Sequence, residues 1–315
     1  MLVTCSKCKI DHSVFKRSYS GETLCKSCFL RSIENKTLHT ISKYSMIGYG
    51  ERIAVGVSGG KDSLTLLSVL KKILKKNNCN DIVAITIDEG IEDYRDESVH
   101  IVKNHCEKID IPFKIFSYKD LFGTSMDEAM LQRPSKKLSS CSICGTFRRR
   151  ALDIAAKSVS ADVVATAHNL DDHIQTFMIN LFSGDVDRIG WMYPTPAPME
   201  YEIGLKKIKP FLELYENEIV FYAFHSGIEF QAEQCPYMDE SIRSDFREFF
   251  NKLERIHPGI KYNCYNSVNK LSKIIQNTRQ QHSAPYLKKI CLKCGNISNN
   301  DVCSVCKTIF LLESK

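Results

Sequence analysis

The stretch Arg52-Ile-Ala-Val-Gly-Val-Ser58-Gly59-Gly60-Lys61-Asp62-Ser63 passes from a strand pattern to a helix pattern with only a pair of glycines between them. Its first half is a short apolar run of the kind buried inside a sheet. Asp62–Lys76 then places Leu64, Leu67, Val69, Leu70, Ile73 and Leu74 at helical spacing. Two glycines let the backbone turn its N–H groups toward an anion with no Cβ in the way, and the helix N-terminus adds partial positive charge. Ser58 and Ser63 can donate to phosphate oxygens, Lys61 adds charge, and Val57 and Asp62 complete the candidate nucleotide loop. A plain strand–helix turn is the alternative, which the full string in this context argues against. The spacing is not that of a Walker A loop, which sets more residues between glycine and lysine.

The alternation continues. Asp81–Ile87 and Pro112–Ser117 read as strands, Glu92–Ile109 as a helix, Ala161–Ala167 as a fourth strand and Asp171–Leu181 as its following helix. Apolar strands alternating with helices predict an α/β fold, a doubly wound parallel sheet covered on both faces. Ligands of such sheets bind beyond the carboxyl ends of the strands, so the loops after Val57, Ile87 and Ala167 are the ones to watch. In a chain of 315 residues, 43% hydrophobic and 25% charged residues exclude a mostly disordered protein. The N-terminal MLVTCSKCKI has no signal-peptide pattern, and no apolar run is long enough to cross a bilayer. The expectation is a cytoplasmic protein without a membrane partner.

Cysteine is over-represented, with 14 residues of which ten form five Cys-x-x-Cys pairs. In a reducing compartment, paired cysteines point to metal or redox chemistry. Cys5, Cys8, Cys25 and Cys28 make one quartet, and Cys291, Cys294, Cys303 and Cys306 another. Each lies in a short segment with too few apolar residues for a core, where a tetrahedral Zn²⁺ supplies the folding energy. The resulting boundaries are a zinc finger over 1–49, a catalytic domain over 50–255, a basic helical linker over 256–287 and a second zinc finger over 288–315. The fifth pair, Cys141 and Cys144, precedes Arg148, Arg149 and Arg150, which are expected to open a helix, with Arg148 directed at the nucleotide. Cys235 is the expected companion of that pair. Three thiolates leave an open metal position, as in a [4Fe-4S] cluster with one free iron. A redox dithiol carrying a persulfide is the alternative. Cys79, Cys106 and Cys264 read as isolated thiols. Charge is also unevenly spread: residues 1–50 carry net +5, residues 51–250 net −7 and residues 251–315 net +8. The basic ends, with Lys7, Lys9, Lys16, Arg17, Lys26, Lys288, Lys289 and Lys293 around the cysteines, fit clamps on a polyanion.

The loop Ser58–Ser63 resembles the PP-loop of the ATP-pyrophosphatase superfamily, and Ala167-His168-Asn169-Leu170-Asp171-Asp172 resembles that family's Gly-His-Asn-x-x-Asp loop, with Ala167 where glycine is usual. Asp171 suits helix capping; Asp172 is the better candidate for reaction chemistry. The two quartets, SGGKDS, the CxxCG-arginine segment, HNLDD and the later Cys235-Pro236 together resemble the tRNA 2-thiouridine synthetases of archaea and the eukaryotic cytoplasm. The resemblance implies a HUP-like nucleotide fold, ATP with Mg²⁺, and contacts from Ile87 and Asp88 to adenine and ribose. It also implies adenylation of the C2 oxygen of a tRNA uridine, with replacement of that oxygen by sulfur. Gln175–Arg188 looks more like the group acting on wobble uridine 34 than the group acting on uridine 54. A ubiquitin-like sulfur carrier or inorganic sulfide is the implied donor, and a homodimer the expected assembly. Two other readings compete. A lysidine-type PP-loop ligase would not need Cys141, Cys144 or Cys235. A non-enzymatic zinc-ribbon RNA-binding module would not need an intact Lys61-Asp62-Ser63.

Overall fold

The computed structural model describes residues 3–75, 80–134, 138–194, 205–238, 242–282 and 289–313. Cys79 and Lys288 lie outside the described residues. An N-terminal module holds β1 (Phe15–Lys16), β2 (Thr23–Leu24) and α1 (Lys26–Lys43). The central body runs β3 (Ile53–Gly56), α2 (Lys61–Leu74), β4 (Ile82–Asp88), α3 (Arg95–Lys108), β5 (Phe113–Ser117), α4 (Tyr118–Phe122), α5 (Met126–Gln132) and α6 (Ser140–Ser158). It continues through β6 (Val163–Ala165), α7 (Leu170–Phe182), α8 (Val186–Gly190), β7 (Lys206–Ile208), α9 (Glu216–His225), α10 (Arg243–Ile256) and α11 (Ile260–His282). A C-terminal module holds β8 (Lys289–Ile290), β9 (Ile297–Ser298) and α12 (Ser304–Glu313).

The central sheet has the order β5-β4-β3-β6-β7, all neighbours parallel. The chain leaves β3 in one direction to β4 and β5, then returns to β6 on the other side. That reversal opens a crevice at the carboxyl ends of β3 and β6. Both sheet faces are covered, which is why the strands read as unbroken apolar runs. Ile53, Val55 and Val57 face a core built with α1, α2, α3 and α9, while Ala54, Ile85 and Val164 face a second core with α5, α6 and α12.

Three differences from the sequence reading bear on the site. A fifth strand, β7, was not anticipated; three residues beginning with two lysines carry no strand signal. Helix α6 begins at Ser140, not at the arginines. Ser139 caps it by accepting from the N–H of Ser142, so Cys141 and Cys144 sit in its first turns. Helix α1 extends the N-terminal segment into the main body, burying Phe29, Ile33 and Ile41 in the core shared with β3 and α2. The stretch expected to be a basic helix or linker is the helix α11, and it packs on α7, α8 and α10. Among the described residues no helix is long and apolar enough to cross a membrane.

Candidate active site and metal centres

The loop after β3 is built by its own hydroxyls. Ser63 Oγ donates to the Gly60 carbonyl at 2.9 Å and accepts from the Ser58 N–H at 3.1 Å. Gly59 sits at φ +87°, and a Cβ there would lie 2.7 Å from Ser98 Cβ, so glycine is required on two counts. Gly60 is the N-cap of α2 and supplies no side-chain cap. The helix therefore presents unsatisfied N–H groups and its positive dipole end to the crevice, as an anion site needs. Lys61 Nζ bridges Asp62 and Glu216, 2.9 Å from each. Burial, reinforced by Asp172 and Glu216 and opposed by Lys61, pushes the Asp62 carboxyl up to about 6.

The loop after β6 brings His168 and Asp172 to the same crevice. His168 is reachable by solvent but enclosed by protein. That enclosure, with the charges of Lys209, Arg243 and Arg148, drives its ring down to about 3, so it is neutral. Thr166 Oγ1 lies 2.9 Å from its Nδ1. The capping duty falls to the other aspartate than the one the sequence suggested. Asn169 and Asp172 form the capping box of α7, with Oδ1 of Asn169 accepting from the Asp172 N–H at 3.0 Å and the reverse bond at 3.1 Å. Asp171, expected to cap, is instead buried on the Lys261 ammonium and accepts from the Glu216 N–H at 2.8 Å. Asp172 nonetheless borders the crevice, and burial raises its carboxyl.

At the carboxyl end of β4, Ile87 is buried and its carbonyl accepts from Arg95 Nη2 at 2.6 Å. Asp88 folds its carboxylate onto the N–H of Gly90. Val57 is buried, and its N–H extends the ladder to Ile85. Ala167 is half-buried in the loop after β6.

The start of α6 and the loop after α9 carry sulfur. Cys141 is exposed at the start of α6, while Cys144 and Cys235 are half-buried. Burial raises both half-buried thiols, and each feels the charge of Cys141. Ser140 Oγ donates to the Tyr237 carbonyl at 3.0 Å, stitching the Cys235-Pro-Tyr turn to the start of α6. Gln231, which carries no sequence signal, ties the same segment to the nucleotide loop: its N–H donates to the Gly59 carbonyl at 3.0 Å and its Nε2 to the Tyr94 carbonyl at 2.7 Å. Arg148, expected at the nucleotide, lies on Glu89 and donates to Cys144 Sγ at 3.2 Å. Glu89, Arg95 and Lys209 were also missed. The sequence could have offered Glu89, since it adjoins Asp88 in a loop already singled out.

The two quartets close as the spacing predicts. Within each, all four sulfurs lie within 4.8 Å of one another. Cys8–Cys25 and Cys294–Cys303 measure 3.8 Å and Cys291–Cys306 3.9 Å, matching the ~3.8 Å edge of a tetrahedron with ~2.3 Å metal–sulfur bonds. Both first knuckles turn alike: the N–H of Lys9 (φ 61°) donates to the Cys5 carbonyl, and that of Gly295 (φ 67°) to the Cys291 carbonyl. Cys141, Cys144 and Cys235 do not converge in this way. That suits a cluster, in which each thiolate binds a different iron, better than a single ion.

A PP-loop domain model matches residues 30–253. The chain is 34% identical over 311 residues to the cytoplasmic tRNA 2-thiolation protein 1 of Dictyostelium discoideum, spanning 98% of this chain and 84% of the relative. This chain belongs to the tRNA 2-thiolation family of PP-loop proteins. A second family member, from Danio rerio, is 33% identical over 307 residues, spanning 97% and 87% of the two chains. Among solved structures, the U34-tRNA thiolase NcsA from Methanococcus maripaludis, with its [4Fe-4S] cluster, superposes with a TM-score of 0.81. It is 31% identical and the match covers 98% of this chain and 96% of that one.

Proposed function

We propose that this protein is an ATP-dependent tRNA 2-thiolation enzyme of the cytoplasm, acting on the wobble uridine. One observation carries the reading: Gln231, four residues before Cys235, donates to the Gly59 carbonyl of the nucleotide loop, and Arg95, Glu89 and Arg148 link Ser58 of the same loop to Cys144. A nucleotide and a sulfur site in contact serve substitution of an adenylated oxygen. A lysidine-type ligase gives the cysteines no role, and a binding module gives the nucleotide loop none.

In this reading the N–H groups at Gly59, Gly60 and the start of α2 take the phosphates, and Lys61 turns from Asp62 and Glu216 toward them. Asp62 and Asp172, whose charges repel across the crevice, are the carboxylates for Mg²⁺. The uridine C2 oxygen attacks the α-phosphorus and pyrophosphate leaves; sulfur then attacks C2 and AMP leaves. His168, neutral, contributes a hydrogen bond rather than charge at the reacting phosphate. Cys141, Cys144 and Cys235 would hold a [4Fe-4S] cluster, which when bound supplies an iron position open to sulfide. The quartets would hold Zn²⁺ as structural ions. The donor is sulfide or the thiocarboxylate of a ubiquitin-like carrier, and the assembly a homodimer on tRNA.

The test is anaerobic incubation of the iron-reconstituted protein with tRNA, Mg²⁺·ATP and sulfide. The expected result is 2-thiouridine at position 34, by mass spectrometry of nuclease digests, with one AMP per thiolation, and its loss in Cys144→Ser. Thiolation at position 54 overturns the wobble assignment. Undiminished activity of Cys144→Ser overturns the role of the cysteines, and full activity without iron overturns the cluster.

A further inference from the structure

Glu89 follows β4 and is 3% exposed. Its two carboxylate oxygens serve two different arginines. Oε1 accepts from Arg148, with Nε at 3.0 Å and Nη2 at 2.8 Å. Oε2 pairs with Arg95 Nε at 2.8 Å. Each arginine reaches onward. Arg95 Nη1 donates to the Ser58 carbonyl of the nucleotide loop at 3.1 Å and Nη2 to the Ile87 carbonyl at 2.6 Å. Arg148 Nη2 donates to Cys144 Sγ at 3.2 Å. A continuous line thus runs from Ser58 through Arg95, Glu89 and Arg148 to Cys144, made of charge-assisted hydrogen bonds except at Arg95–Glu89, which is an ion pair without hydrogen-bond alignment.

We infer that Glu89 is a positioning residue that couples the nucleotide loop to the cysteine-bearing turn of α6, so that the geometry at Ser58 sets the geometry at Cys144. The physical reason is shared use of one rigid group. A carboxylate is planar, and here it has little freedom because it is buried and also fixed by its own backbone, whose carbonyl accepts from the Met126 N–H at 2.7 Å. Nucleotide seating that shifts the Ser58 carbonyl pulls on Arg95. Glu89 in turn draws on Arg148, whose half-exposed guanidinium is the end of the line free to move. Arg95 is 4% exposed and has no solvent route by which to relax instead. The consequence for the reaction is order: Cys144 takes its working position once the nucleotide is in place. The inference rests on the nucleotide reading of the loop but not on the cluster.

The test is hydrogen exchange followed by mass spectrometry on the full chain with zinc and without iron, in the presence and absence of a non-hydrolysable ATP analogue with Mg²⁺. Wild type is expected to slow exchange at 58–63 and, roughly fivefold or more, at 140–148. In Glu89→Gln, the amide must turn an N–H toward one of the arginines. The slowing at 58–63 is then retained and that at 140–148 is lost. Arg95→Lys keeps the charge but cannot span Ser58, Ile87 and Glu89 together, and is expected to behave the same way; it stands in if Glu89→Gln does not fold. A response at 140–148 that survives in the folded variant overturns the coupling. So does a wild type that responds at 58–63 alone. No response at 58–63 in wild type defeats the nucleotide reading itself, and the coupling with it.

Discussion

Adjacent glycines in the nucleotide loop are not equivalent. Gly59 has both a left-handed φ and Ser98 at its back, whereas Gly60 has an ordinary φ of −80° and its nearest neighbour, Ser58 Oγ, 3.5 Å away. Gly59→Ala is therefore expected to cost about 1–3 kcal/mol in thermal unfolding of the nucleotide-free protein and to abolish nucleotide binding. Gly60→Ala is expected to leave stability within ~0.5 kcal/mol and weaken only binding, by calorimetric titration. Asp62 makes the reverse kind of prediction. Its folded carboxyl is raised from 3.8 to about 6. Between those values the unfolded chain releases its proton while the folded chain keeps it, so stability falls as pH rises through the window and the penalty is complete above it. Asp62→Asn removes that penalty, while Lys61 keeps Glu216. The nucleotide-free variant is expected to be more stable than wild type at neutral pH by up to ~2 kcal/mol, to lose the stability difference below about pH 4, and to form no AMP. A variant less stable than wild type at pH 7 would sink this account of Asp62. At this scale the sequence shows residue type but not direction. SGGKDS was readable because a whole local string must be present, whereas Asp171 left its expected cap because Lys261 arrives from α11, 90 positions away.

At the scale of elements, the alternation of strands and helices was legible because each is set by local periodicity. What was not legible is where α6 begins and what it leans on. Arginines drew attention away from Ser139, and the C-terminal module packs on α6 from across the chain. Cys291, Cys303, Val305 and Leu312 share a core with Phe147, Ala151 and Ala155, and Arg150 donates to the Ile297 carbonyl at 2.9 Å. The helix that carries Cys141 and Cys144 is thus braced by the second quartet. Cys303→Ser is expected to lower metal content by one ion and to cost at least ~3 kcal/mol. It is also expected to speed amide exchange in α6 while leaving α2 at wild-type rates. Equal loosening of both helices would mean that the module supports the fold in general rather than α6.

Across the whole molecule, net charge divides into basic ends around an acidic centre, but the structure sorts those charges by use. Arg17, expected among the RNA-facing residues, is 5% exposed. It pairs with Glu218 at 2.6 Å and so anchors the N-terminal module to α9, with Tyr19 and Lys36 on the same carboxylate. Arg17→Ala leaves Glu218 buried with weaker partners and is expected to cost about 3 kcal/mol in denaturant unfolding. Lys261, counted in the basic C-terminal zone, is likewise spent on Asp171. Lys7, Lys9, Lys16 and Lys26 are different: all four are exposed around the first quartet. If that end grips tRNA, each phosphate contact contributes roughly 0.7–0.9 to the slope of log affinity against log salt. Replacing the four lysines by serine is expected to reduce the slope by about 3–4 and to weaken all tRNAs alike, by filter binding over a salt series. Unfolding should be unaffected, because none of the four is buried. A slope that does not change would move the RNA contact away from the N-terminal module, leaving its quartet the purely structural task of holding α1 and Arg17 against the catalytic body.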